Sequence, residues 1–125
     1  MATATLCGCA QKSENALPKV YMTTDISAEG LVKVYQALGV EATGKVAVKI
    51  STGEPGGHNY LKPELIKNLV QSVNGTIVEC NTAYPGRRNT TEAHLEAARE
   101  HGFFDIADVD IMDAEGEIKI PEQDT

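Results

Sequence analysis

Two polar loops contain the residues whose side chains could bind a ligand or take part in a reaction. The first is the glycine-rich loop, residues 51–60, and the second is the arginine loop, residues 81–89. Each loop follows a short β-branched run and precedes an amphipathic helical pattern, which predicts that both lie at the carboxyl ends of strands in an α/β sheet. Folds of this class bind ligands at that edge. The sequence therefore predicts one candidate site formed by both loops.

The arginine loop predicts an anion site. Arg87 and Arg88 stand immediately before a predicted helix, so their guanidinium groups would lie beside free backbone amides and the positive end of the helix dipole. Lys49, at the end of a predicted strand, could add a third positive charge. We therefore expect a small ligand carrying phosphate or carboxylate to contact Lys49, Gly56, Gly57, Asn81, Thr82, Arg87 and Arg88. The alternative is that the arginines pair with Glu92 or Glu96 while Lys49 extends into water.

The glycine-rich loop carries the candidates for proton transfer. Glu54 or His58 could act as a general base, or bind a metal together with Asn81. An acid–base or metal-dependent enzyme is therefore the alternative to a small-molecule binding module. Gly56 and Gly57 allow the backbone to approach a ligand closely, but the spacing matches neither the P-loop nor the dinucleotide fingerprint. A purely structural connection explains the same glycines.

Other polar residues have a structural interpretation. His94 lies on an apolar helical stripe, where we expect a partly buried, hydrogen-bonded histidine. His101, near the end of the same helix, is expected to interact favourably with the helix dipole. The two lie about 10 Å apart along the helix axis, too far to share one metal ion. Cys80 ends a predicted strand and is expected to be a small buried apolar residue. No metal site is therefore assigned, and a metal held by Glu54 or His58 with Asn81 stays the alternative.

Composition excludes several classes of function. A chain of 125 residues is long enough for one domain with its own core. The formal net charge of −7 argues against non-specific binding to nucleic acid or to anionic membranes, since both require a basic surface. Three cysteines without regular spacing do not indicate a disulfide framework. No apolar run approaches the roughly 20 residues that a transmembrane helix requires.

The amino-terminal residues predict a tail rather than part of the domain. Residues 1–18 are expected to be disordered, and residues 19–125 to form a single α/β domain. Residues 6–9 resemble the lipobox of a bacterial lipoprotein, in which Cys9 would carry the lipid and provide the only contact with a membrane. Only residues 1–5 precede this box, fewer than a secretion signal needs. The alternatives are a cell-envelope lipoprotein and a cytoplasmic protein with a chance match.

Hydrophobic periodicity predicts an α/β fold with a mostly parallel sheet flanked by helices. The expected order is β-α-β-α-β-α-β with a carboxyl-terminal β-hairpin, and the crossovers are expected to be right-handed. Strands are predicted over residues 19–22, 45–50, 76–80, 108–112 and 117–120. The last two of these would form the hairpin around a turn at residues 113–116.

Several segments match one family as a set. They are residues 46–56, residues 60–64, residues 81–84, Arg87 with Arg88, and residues 94–102. Together they resemble the bacterial and archaeal family called domain of unknown function 362, over roughly residues 19–122. The resemblance implies the α/β fold and implies that the two loops belong to one site. It implies no reaction. Many members carry clustered cysteines that hold iron–sulfur clusters, which would make this chain the amino part of a redox protein. The sequence contains no such cluster, so no cofactor is predicted in this chain.

Overall fold

The computed structural model describes residues 17–114, which form an α/β fold. Three helices flank a three-stranded sheet in this part of the chain. The helices are α1 (Ala28–Ala37), α2 (Pro63–Ser72) and α3 (Thr91–Glu100), and a short 3-10 helix, Phe103–Asp105, follows α3. The strands are β1 (Val46–Lys49), β2 (Gly75–Glu79) and β3 (Val109–Ile111).

The sheet is parallel and its strands follow chain order, β1-β2-β3. Val48 pairs with Ile77, which pairs with Val109, so these three side chains share one face. The same face carries the core, where Val70 of α2 and Ala98 of α3 belong to one buried cluster with Ile77. Both helices therefore cover the same side of the sheet, as two successive right-handed crossovers in one direction require.

Local sequence signals explain where the helices begin and end. The Ser27 side chain accepts a hydrogen bond from the Gly30 amide at 3.0 Å and caps α1, which satisfies one of the free donors of its first turn. Pro63 occupies the start of α2, where its missing amide costs nothing. Ile66 and Val70 lie one turn apart on α2 and are both buried, as an amphipathic helix requires.

The strand predicted at residues 19–22 does not form. These residues belong to no helix or strand, and Val20 and Met22 are 90% and 87% exposed. Strand propensity mainly reflects packing against neighbouring strands and a core. In the described sheet β1 is an edge strand that pairs with β2 alone, so the segment lacks both a partner strand and a buried face. The prediction from residue types was therefore wrong at this segment.

The carboxyl-terminal hairpin was predicted from two strands, and only the first is described. β3 covers Val109–Ile111 and a turn follows it, whereas the returning strand at residues 117–120 lies outside the described residues. Cys7, Cys9 and most of the predicted tail also lie outside them. Within residues 17–114, no helix is long and apolar enough to cross a membrane.

Candidate functional site

The carboxyl edge of the sheet brings the two predicted loops together. β1 leads into the glycine-rich loop and neighbouring β2 leads into the arginine loop, so the loops leave the same edge side by side. The loop after β3 joins them, because an Asp113 carboxylate oxygen accepts the Asn81 backbone amide at 2.8 Å. The structure thus places both loops at one edge of the sheet, as the sequence predicts.

Glu54 bridges the two loops. One of its carboxylate oxygens accepts from Arg88 Nε at 2.8 Å, and the other accepts from the Arg87 backbone amide at 3.3 Å. Gly86 lies so close that a Cβ there would be 3.3 Å from the carboxylate oxygens. The hydrogen bond from Arg88 lowers the pKa of Glu54. A carboxylate held in its charged form is a weak proton acceptor, and in this geometry Glu54 joins the two loops.

Arg88 is buried beneath the site rather than presented to a ligand. It is only 6% exposed, and its Nη2 donates to the Tyr84 hydroxyl at 2.8 Å. Its Nη1 lies 3.6 Å from a carboxylate oxygen of Glu79, which is also buried and which accepts a hydrogen bond from Lys49 Nζ. A buried carboxylate requires such partners. Arg88 and Lys49, both predicted to bind the ligand, therefore also neutralise protein carboxylates.

Arg87 is the arginine that faces solvent. Its side chain is 47% exposed, and its Nη1 and Nη2 donate to the two carboxylate oxygens of Glu100 at 3.1 and 2.7 Å. A Glu96 oxygen lies 3.5 Å from Nη2. The pairing with Glu96 agrees with the alternative drawn from the sequence, whereas the closer partner, Glu100, was not predicted. The hydrogen bonds from Arg87 lower the pKa of Glu100.

A buried chain of hydrogen bonds connects both loops to α3. Asn81 Nδ2 donates to Thr91 Oγ1 at 3.0 Å, so the Asn81 carbonyl oxygen faces His94 Nδ1 at 3.3 Å. His94 Nδ1 must then carry the proton, and Nε2 accepts from the Thr52 hydroxyl at 2.7 Å. His94 and Thr52 are fully buried. Burial, together with the nearby charge of Arg88, lowers the pKa of His94, so the imidazole is neutral.

This buried chain has the order of a catalytic triad but not its access. A hydroxyl, an imidazole and an amide oxygen in series correspond to nucleophile, base and orienting group. The Thr52 hydroxyl, however, has no exposed surface through which a substrate could reach it. The chain of hydrogen bonds therefore fixes the loops against α3. It also confirms the expectation that His94 is a hydrogen-bonded histidine, and it is fully rather than partly buried.

His101 holds the glycine-rich loop from a second side. It caps the end of α3, and its Nδ1 donates to the Thr52 carbonyl oxygen at 2.8 Å. Its ring stacks on Tyr60 with centroids 3.8 Å apart and planes 5° apart. Both histidines of α3 thus converge on Thr52, a residue that carried no signal in the sequence.

The remaining predicted residues lie on the surface of the two loops. His58, Gly56 and Gly57 are exposed, and the Gly57 amide donates within its own turn to the Glu54 carbonyl at 3.2 Å. The Thr82 amide donates to the Arg88 carbonyl at 2.8 Å, so it stabilises the arginine loop.

A small cavity lies at the carboxyl edge, and larger cavities lie elsewhere in the described part of the chain. A cavity of about 160 Å³ is lined by Gly53, Glu54, Gly57, Asn59 and Tyr60. Larger cavities of about 400 and 500 Å³ lie beside α1 and at the amino ends of β2 and β3, and no residue of the two loops lines them. Among residues 17–114, no three histidine, cysteine, aspartate or glutamate side chains are grouped to hold a metal ion. Cys80 is half-buried with a free thiol.

Comparison with protein families gives one match. The family described as Domain of unknown function (DUF362) matches residues 46–124, a range that begins at β1 and includes both loops and α3. Neither the curated proteins nor the solved structures include a match to the chain. Both loops therefore lie within the matched range, and the family description names no reaction.

Proposed function

This chain belongs to the family described as Domain of unknown function (DUF362), and we propose that its carboxyl edge binds a small ligand through a carboxylate or phosphate group. The observation that carries the proposal is that Arg87 already holds a carboxylate while its side chain is partly exposed. Its guanidinium holds a carboxylate, that of Glu100, through two parallel hydrogen bonds at 3.1 and 2.7 Å while 47% of its side chain remains exposed. A guanidinium placed in this way can hold the anionic group of a ligand with the same geometry.

An exposed ion pair is readily exchanged. Pairs between exposed arginine and glutamate side chains contribute little in water and are screened by salt. Glu100 is itself 43% exposed, so a ligand anion can take its place at Arg87 without leaving a buried charge unpaired. The pair of Arg88 and Glu54 differs, because separating it would leave a buried guanidinium, 7% exposed, without this partner. Arg87 is therefore the anchor of the proposed site, and Arg88 supports the loop that carries it.

A second positive side chain also favours an anion at this edge. Lys49 is 56% exposed at the end of β1 and adds a second positive charge, although Glu79 partly neutralises it. Asn81 and Thr82 complete the set of proposed contacts from the arginine loop, and Gly56 and Gly57 from the glycine-rich loop.

The alternative proposals have less support. An acid–base or metal-dependent enzyme would use Glu54 and His58, but Arg88 holds Glu54 in its charged form and His58 lies exposed. A lipid anchor at Cys9 concerns residues outside the described range. An association with iron–sulfur proteins derives from the family resemblance alone, and the described residues contribute only Cys80 as a thiol.

Thermal unfolding in the presence of inorganic phosphate tests the proposal. Phosphate at ten times its Kd would stabilise the folded chain by about 1.4 kcal/mol, which raises the Tm of a domain of this size by roughly 5 °C. Sodium chloride at equal ionic strength provides the reference. We expect the rise in the parent protein and in Arg99→Ala, which removes an exposed arginine from α3, but not in Arg87→Ala. An equal rise in Arg87→Ala would refute the proposal.

A further inference from the structure

We propose that Glu100 is a built-in competitor of the ligand: its carboxylate occupies Arg87 in the free protein, so that a ligand binds by displacing it. This inference rests on the proposed function, because it concerns the same arginine. It assigns Glu100 a role in setting which anions bind and how tightly. The class of ligand follows as well, since an anion must bind Arg87 more strongly than the carboxylate that is already in place.

The Glu100 carboxylate and a ligand anion cannot occupy the same two donors of Arg87 at once. Arg87 Nη1 and Nη2 both point to Glu100, one to each carboxylate oxygen, at 3.1 and 2.7 Å. The terminal nitrogens of the guanidinium therefore meet this one carboxylate in a two-pronged arrangement. A ligand phosphate or carboxylate that takes the same two donors must first move Glu100 away.

Glu100 is able to move because, within residues 17–114, only Arg87 is hydrogen-bonded to its carboxylate. Both side chains are about half exposed. Glu54 is held differently, since it bonds both Arg88 Nε and the Arg87 amide and lies against Gly86. The two glutamates thus have separate roles: Glu54 joins the loops, and Glu100 covers the exposed arginine.

The position of Glu100 on its helix supports this role. It is the last residue of α3, where the helix dipole disfavours a negative side chain. Helix stability alone therefore does not favour a glutamate at this end, whereas pairing with Arg87 across the site does. Glu96, one turn earlier, lies 3.5 Å from Arg87 Nη2 and is 66% exposed, so it can partly replace Glu100 when that carboxylate leaves.

A competing carboxylate selects for charge. A singly charged ion such as chloride or acetate gains no more from Arg87 than Glu100 already does, and it must also be immobilised. A doubly charged group, such as phosphate or a dicarboxylate, gains more Coulomb energy from Arg87 than a singly charged carboxylate does. We therefore assign the site to small ligands with two negative charges.

Phosphate affinity in four proteins tests the inference. The Kd for inorganic phosphate is measured by calorimetric titration in the parent chain, Glu100→Gln, Glu96→Gln/Glu100→Gln, and Glu92→Gln. Glutamine keeps the shape of glutamate without its charge. Glu92 provides the matched control, because it is an exposed glutamate of the same helix and its replacement changes the net charge equally.

The expected result is tighter binding only where the competitor is removed. Glu100→Gln should lower Kd about two- to fivefold, the scale of an exposed ion pair, and the double variant should lower it further. Acetate, which the parent should not bind measurably, should become detectable in the double variant. If Arg87-dependent phosphate binding occurs but Glu100→Gln gains no more than Glu92→Gln, the competitor role is overturned and the proposed function stands. If no variant binds phosphate, both are overturned.

Discussion

Replacing His94 by alanine should destabilise the fold far more than any other histidine substitution in this chain. His94 is fully buried and makes two side-chain hydrogen bonds, to Thr52 at 2.7 Å and to Asn81 at 3.3 Å. Alanine removes both bonds and leaves the Thr52 hydroxyl and the Asn81 carbonyl oxygen without that partner. It also leaves a cavity between α3 and the two loops.

The magnitude follows from these losses. Each buried hydrogen bond contributes about 1 kcal/mol, and the cavity left by truncating a large buried side chain costs roughly 2 kcal/mol more. The free energy of unfolding should therefore fall by about 4 kcal/mol, a large share of the roughly 5–15 kcal/mol that stabilises an ordinary domain. His58→Ala, at an exposed position, should change it by less than about 0.5 kcal/mol.

Urea unfolding monitored by circular dichroism provides the measurement, since the chain contains no tryptophan for fluorescence. His94→Gln, which can keep one hydrogen bond and fills part of the cavity, should lie between the parent protein and His94→Ala. If His94→Ala unfolded at the same urea concentration as His58→Ala, the buried connection between the loops and α3 would not stabilise the protein and the reasoning would fail.

Two further predictions concern pH and backbone conformation. Burial lowers the pKa of His94 from its ordinary 6.5, so the unfolded state binds more protons between the folded-state and unfolded-state pKa values. The free energy of unfolding should therefore fall as pH drops below about 6.5. The same titration of His94→Gln should show a smaller fall, and an identical curve would contradict this assignment. Gly53 and Gly56 both have positive φ, 77° and 78°, but a Cβ at Gly53 would lie 2.5 Å from Tyr60 Cβ whereas nothing lies within 4 Å at Gly56. Gly56→Ala should therefore cost roughly 1 kcal/mol of unfolding free energy from backbone strain alone, and Gly53→Ala clearly more; equal losses would show that the loop relaxes around Tyr60.

The sequence was sufficient to place the two loops at one edge of the sheet but not to predict how their charged side chains pair. β-branched runs followed by polar loops located the carboxyl ends of β1 and β2, because a strand pattern and a helix pattern differ in period. The helical spacing of His94 correctly indicated a histidine packed on the apolar face. Parallel pairing of β1 with β2 then brought the two loops together as expected.

The pairing of charged side chains could not be predicted in the same way. Arg88 meets Glu54 across 34 positions of the chain, and which carboxylate faces which arginine depends on loop conformation rather than on spacing. One signal was available: Glu79 lies inside a buried apolar strand run, and a buried carboxylate requires positive partners. Thr52 gave no such signal, since a threonine after a strand is ordinary.

The wrong prediction of a strand at residues 19–22 has a different cause. The residue types favour a strand, yet strand formation depends on a neighbouring strand and on burial. In the described part of the chain, the sheet provides neither to this segment, and Val20 and Met22 remain exposed. Local pattern was therefore sufficient for β1 and β2, which pair with each other, and insufficient here.

The phosphate dependence of unfolding in Arg87→Ala tests the central claim most directly. The parent protein and Arg99→Ala should both gain thermal stability as phosphate replaces chloride at constant ionic strength, and Arg87→Ala should gain none. Arg87 is half exposed and outside the core, so the variant is expected to fold and the comparison remains interpretable. A stabilisation that is the same in all three proteins would show that phosphate acts elsewhere, and the carboxyl edge would then not be an anion site.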